Sequence, residues 1–205
     1  MHWLWAADDS LFHLFNGHPS GAPARAAAGL ALFLSSGGAC WLALFLLVFM
    51  VGGRRGRRVA LTGAVAVLLA HAVAAWGLEG LFQRADPSLS FSRQVFTLPA
   101  FQQRFSFPAA RAAEAVAAVP FLSRGGPAAT GLVWTLAAAV AWGELYAGAA
   151  FPSDVLAGAI VGLACAGSAL WLLGNPFRRR SGQVIPLPRR IRRASPGVAP
   201  VRGRR

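Results

Sequence analysis

An all-α membrane protein, a bundle of about five transmembrane helices preceded by a short interfacial helix, is what three features of this chain predict. Its 205 residues are 56% hydrophobic with a mean hydropathy of +0.51. Several of its apolar stretches match the thickness of a bilayer. Its arginines gather between alternate stretches, as the loops on one side of a membrane do.

Each element follows from local pattern. Residues 1–24 read as an external interfacial segment. No basic residue precedes its apolar part, and Asp8 and Asp9 interrupt it, which argues against a cleavable signal. Residues 3–15 predict an amphipathic helix that offers Trp3, Trp5, Leu11, Phe12 and Phe15 to the membrane interface. Residues 27–51, 59–82, 128–150 and 155–174 are each long enough for a hydrocarbon core of about 30 Å at about 1.5 Å per helical residue. A fifth stretch, 109–122, is short. It reaches full length if its helix begins near Phe101 and takes Pro108 as a kink or first-turn residue. The bundle is thus expected over 25–175, followed by a basic, disordered arm at 176–205.

All twenty basic residues are arginine, and fifteen of them (Arg54, Arg55, Arg57, Arg58, Arg124 and ten after Arg178, that one included) fall on one side when five spans alternate. The positive-inside rule makes that side cytoplasmic. The N-terminus, residues 83–107 and the turn at 146–153 then lie outside, and the composition suits a bacterial inner membrane. The net charge of +13 is therefore mostly topology and tail. Nucleic-acid binding is not expected, because the tail lacks aromatics interleaved with its arginines; anionic lipid heads suit it better. Cys40 and Cys165 fall inside predicted spans and read as buried packing, so no metal site, disulfide or cofactor is expected.

Three motifs carry the chemistry. Residues 143–158 read GELYAGAAFPSDVLAG, residues 108–114 read PAARAAE, and residues 78–87 read LEGLFQRADP. Together they resemble, in order and spacing, the three signatures of the type 2 phosphatidic acid phosphatase superfamily. The third signature is Ser-Arg, five residues, His, three residues, Asp. Glu144 stands at its arginine, Ala150 at its histidine, and Asp154 is retained. The second is Pro-Ser-Gly-His; here Pro108 is kept and Arg111 replaces the histidine. The first is Lys, six residues, Arg-Pro; Glu79 and Asp86 stand at the cations and Pro87 is kept. Arg84, two places earlier, is positioned to stand in for that arginine in a slipped register.

The resemblance implies an antiparallel bundle with the three motifs meeting at its outer face. In that family one histidine attacks phosphorus, the aspartate orients it, the other histidine protonates the leaving group, and cations hold the phosphoryl oxygens. Ala150 has no nucleophile, and an arginine side chain such as that of Arg111 is a poor proton donor. The sequence thus points to a pseudoenzyme with vestigial positions Arg111, Ala150 and Asp154. Its ligand-binding candidates are Glu79, Arg84, Asp86, Arg111, Glu144 and Asp154, and membrane lipids or a membrane protein are the expected partners.

Two other readings stay open. One is a phosphatase rebuilt around Arg84 and Arg111 as phosphate ligands, with Asp154 or Glu144 as nucleophile or base. The other is a transporter or flippase component using the acidic cluster, since five of the seven carboxylates fall at or near the old site. The histidines His2, His13, His18 and His71 are read as lying away from it. Residues 152–154 are read as a helix start, with a hydroxyl cap and a carboxylate near the dipole. The Gly158 and Gly162 step allows close helix approach, within the bundle or between copies, and leaves the oligomeric state open. The phenylalanine-rich connection 83–107, with Phe91, Phe96, Phe101, Phe105 and Phe107, is read as an interfacial seal over the bundle.

Overall fold

The computed structural model describes residues 2–16, 21–90, 95–101 and 104–174, and none of these is in a strand. The helices run α1 (His2–Asn16), α2 (Ala22–Ser35), α3 (Ala39–Val51), α4 (Arg54–His71), α5 (Glu79–Phe82), α6 (Pro87–Ser90), α7 (Ala110–Leu122), α8 (Pro127–Tyr146) and α9 (Pro152–Leu172). Four continuous apolar lengths, Ala22–Val51, Arg54–Phe82, Pro127–Tyr146 and Pro152–Leu172, are long enough to cross a membrane. The all-α membrane bundle is therefore as expected. The basic arm after residue 174 lies outside the described residues, as do Phe91, Arg93 and His18.

Two of the long spans are composite. The first is broken at Ser36–Gly38, where Gly37 and Gly38 take left-handed φ of 59° and 73° and separate α2 from α3. Such angles are cheap for glycine and costly for other residues. A Cβ on Gly38 would come 2.9 Å from Val67 and 3.6 Å from the Glu114 carboxylate, so the break lets a buried acid approach the backbone. In the second span, residues Ala72–Leu78 wind as a π-helix between α4 and α5. Such wider turns shift the helix face and often occur at functional sites.

The short helix α7 is the centre of the bundle. Its residues 110, 112–115, 117–119 and 121 are buried, and it packs against α9, α4, α8, α3 and α2. Apart from Arg111 and Glu114, which are paired with side chains of neighbouring helices, α7 is apolar, as a helix surrounded by other helices is, and its small alanines let those neighbours come close. The expected extension to Phe101 does not occur: α7 starts at Ala110, after a cis Phe107–Pro108 peptide, and residues 99–101 form a separate 3₁₀ turn. Thirteen residues cover only about 20 Å. That length suffices because protein, not lipid, surrounds α7.

Helix α9 lies nearly backbone to backbone on α7. A Cβ added at Gly158 would run into the Ala109 carbonyl, and one at Gly162 into the Ala113 carbonyl. The glycine step is therefore used within the chain, between α9 and α7. We expect Gly162→Val to lower the midpoint of thermal unfolding in detergent by about 5 °C or more, through overpacking. Gly167→Val, whose Cβ would meet nothing within 4 Å, should leave the midpoint unchanged. Equal midpoints for the two variants would refute this packing.

Candidate functional site

The site gathers at the end of the bundle where α5 ends and α9 begins. Gln83 adopts a left-handed φ of 47° and ends α5. The chain is then held in register by a bridge between Ala85 and Phe105 and by the Ser106 N–H, which donates to the Arg84 carbonyl at 2.9 Å. Arg84 turns inward as a result. Its guanidinium donates to Asp154 Oδ1 at 2.5 Å, to the Ser153 hydroxyl at 2.7 Å and to Asp8 Oδ2 at 2.8 Å. The same group lies 4.0 Å from the centre of the Phe151 ring, a cation–π distance. Asp86 instead turns back to its own chain: Oδ1 accepts the Ser88 N–H at 2.7 Å and caps α6. Of the two residues in the first motif that offered an anchor, Arg84 therefore meets Asp154.

Asp8 is the residue that sequence reasoning missed. Its carboxylate accepts the Ser153 N–H at 2.9 Å and the Ser153 hydroxyl at 2.6 Å, besides the Arg84 bond. Asp8 thus takes up donors at the N-terminus of α9, a place that favours anions. Ser153 was expected to cap α9; its hydroxyl goes to Asp8, while Asp154 Oδ2 accepts the Phe151 N–H at 3.1 Å. Asp154 is at the third position of the helix, where its charge also suits the dipole.

Helix α1 is amphipathic, and one of its faces is docked on the bundle. Phe12 is 0% exposed and packs against Phe151 at 5.4 Å between ring centres, although Leu11 and Phe15 remain exposed. The side chains of Trp3 and Trp5 lie outside the described residues. Asn16, at the end of α1, donates to the carbonyls of Phe96 at 2.8 Å and Tyr146 at 2.9 Å, and its own oxygen accepts the Phe96 N–H at 2.8 Å. One side chain thereby ties α1, the connection between α6 and α7 and the end of α8 together. Phe96 packs at a tilt against Tyr146, and Phe107 edge-on against Phe82, so this connection packs on the bundle.

A second set of charges lies on α7 and its neighbours. Arg111 approaches Glu144 at 3.7 Å, and Glu144 is only 2% exposed. One turn further along α7, buried Glu114 pairs with His71 Nδ1 at 2.5 Å. His71, read from sequence as remote, is thus part of the polar interior next to Arg111. Glu79 is half-buried within electrostatic reach of both Arg111 and His71. Ala150, at the nucleophile position, is a buried methyl group. Among the described residues no three His, Cys, Asp or Glu side chains are grouped to hold a metal ion.

A family profile described as the PAP2 superfamily matches residues 59–178, more than half of the chain. The chain belongs to the PAP2 superfamily, the type 2 phosphatidic acid phosphatase family that its three motifs resemble. The crystal structure of LpxE from Aquifex aeolicus is similar to this PAP2 protein with a TM-score of 0.66, at 22% identity, over 79% of this chain and 93% of that one. At that identity the likeness is one of fold. No match is found among curated proteins.

In this PAP2 protein, then, the described cations of the site are already engaged by its own carboxylates. Breaking such buried networks is costly, since a polar group left without its partner loses about 1–3 kcal/mol. We expect Asn16→Ala to cost about 2 kcal/mol and to raise hydrogen exchange in α1. Unchanged exchange in α1 would show that Asn16 does not hold it.

Proposed function

We propose that this PAP2 protein is catalytically silent and acts by binding, as an integral membrane protein that holds a lipid headgroup or a membrane-protein partner. The observation that carries this reading is Asp8, an internal carboxylate placed on the Arg84 and Ser153 donors where an anionic substrate group would otherwise bind. Two further facts support it. Ala150 supplies no nucleophile, and Arg111, at the general-acid position, is a permanent cation beside Glu144.

Charge balance supports the same conclusion. Asp8, Glu79, Asp86, Glu114, Glu144 and Asp154, six of the seven carboxylates in the chain, belong to this end of the bundle. Two unit charges about 4 Å apart interact by roughly 4 kcal/mol at an effective dielectric near 20. A phosphate dianion entering such surroundings meets repulsion before it meets an uncommitted cation. The network is best understood as structural, with carboxylates and arginines replacing the ligands of a phosphoryl group. By the positive-inside rule this end faces the periplasm of a bacterial inner membrane and the arginine-rich end faces the cytoplasm.

A rebuilt phosphatase is the second reading, favoured by the 2.6 Å contact between the Ser153 hydroxyl and Asp8, which has the form of a nucleophile beside a base. The test is phosphate release by the purified protein from a panel of lipid phosphates and pyrophosphates, with Asp8→Ala, Ser153→Ala and Asp154→Ala beside it. We expect all four proteins to stay at the blank rate. Turnover by the unmodified protein that is lost in Ser153→Ala and Asp8→Ala would establish the rebuilt enzyme instead.

A further inference from the structure

The end of the bundle opposite Asp8 has the reverse electrostatics. Helix α4 opens with Arg54, Arg55, Arg57 and Arg58, and Arg124 lies in the turn between α7 and α8. No Asp or Glu occurs in residues 39–70, 115–142 or 155–174, the segments that build this end. The arginines of α4 also stand at the positive end of its dipole, and neither α4 nor α8 carries an acidic residue in its first turn or a side-chain cap. Cations at a helix N-terminus are unfavourable, and a bound anion relieves both effects.

A cavity of about 410 Å³ opens here, between the end of α3, the start of α4 and the end of α7. Arg55 and Arg124 both line it, with Gly56 and Gly125 keeping the space between them open and Val48 and Val59 forming an apolar wall. The short α7 accounts for the recess, because the spans around it run further than its thirteen residues. Arg124 also lines a second cavity of about 390 Å³, whose wall of Val119, Trp134 and Leu163 offers an apolar track beside the same guanidinium. Trp134 and Leu163 are exposed, as side chains that meet acyl chains are. An amphiphile with an anionic head and hydrocarbon chains matches both the charges and the walls.

We propose that this recess binds one anionic diacyl phospholipid, its phosphate held between Arg55 and Arg124 and a chain lying along the adjoining apolar wall. The site is separate from the outer polar network and stands whether or not that network is silent. It also differs from general attraction of the arginine-rich face, because Arg54 and Arg58 share the charge but do not line the cavity. Arg57 reaches the other way, over the Phe49 ring at 5.5 Å.

The experiment is native mass spectrometry of the delipidated full-length protein in detergent, titrated with dioleoyl phosphatidylglycerol, dioleoyl phosphatidylcholine or water-soluble glycerol phosphate. Phosphatidylglycerol is expected to bind about tenfold more tightly than phosphatidylcholine, with glycerol phosphate weaker than either. The double variant Arg55→Ala/Arg124→Ala should lose that preference, whereas Arg54→Ala/Arg58→Ala should keep it. A thermal midpoint measured for each variant ensures that the comparison is between folded proteins, and Arg55→Lys/Arg124→Lys serves as a second pair that retains charge and bulk. Equal binding of the two lipids, equal loss in both alanine pairs, or a preference undiminished by Arg55→Ala/Arg124→Ala would overturn the assignment.

Discussion

The contact of α9 on α7 is the constraint from which the polar end takes its shape. Gly158 and Gly162 bring the two backbones together, and the Ala109 N–H then donates to the Asp154 carbonyl at 3.0 Å, setting the start of one helix against the start of the other. Arg111 and Glu114 on α7 are thereby fixed one turn apart, facing α8 and α4, where Glu144 and His71 meet them. Asp154 is fixed where Arg84 and, through Ser153, Asp8 reach it. Such small-residue interfaces suit a membrane, where lipid competes with side chains for apolar contact and close van der Waals approach must drive association.

On this frame the chain has placed opposite charges at opposite ends. One end is rich in carboxylates, and Arg84 and Arg111 are drawn into contact with them. Buried ion pairs of this kind add little net stability over apolar packing, yet losing one partner is expensive, which makes the network specific rather than strong. The other end has arginines without carboxylates. An asymmetry of this kind is what a membrane protein uses to orient itself.

The PAP2 scaffold and the signature positions of the family lie largely in different residues. The bundle packs through small residues such as Ala109, Ala113, Gly158 and Gly162, a helix start at Pro152 and the buried Phe12, Trp41 and Tyr146. At the signature positions Arg111 approaches Glu144, and Ala150 is packed as a buried methyl group.

What was legible in the sequence was everything that depends on local pattern or on the presence of a functional group. The four long spans follow from apolar length, and the family resemblance from the order and spacing of three motifs. The glycine step announced a close helix contact. Tertiary structure alone decided which groups meet. Asp8 and Ser153 are 145 residues apart, and no pattern within α1 marks Asp8 as a ligand of Arg84. The register of the first motif was settled by the Ala85–Phe105 bridge and the capping role of Asp86, the place of His71 by the neighbour that α7 presents to it, and the length of α7 by burial. Pairings of this kind are set by the geometry of packed helices, in which residues distant in sequence come together only after the glycine and alanine faces have fixed the spacing between backbones.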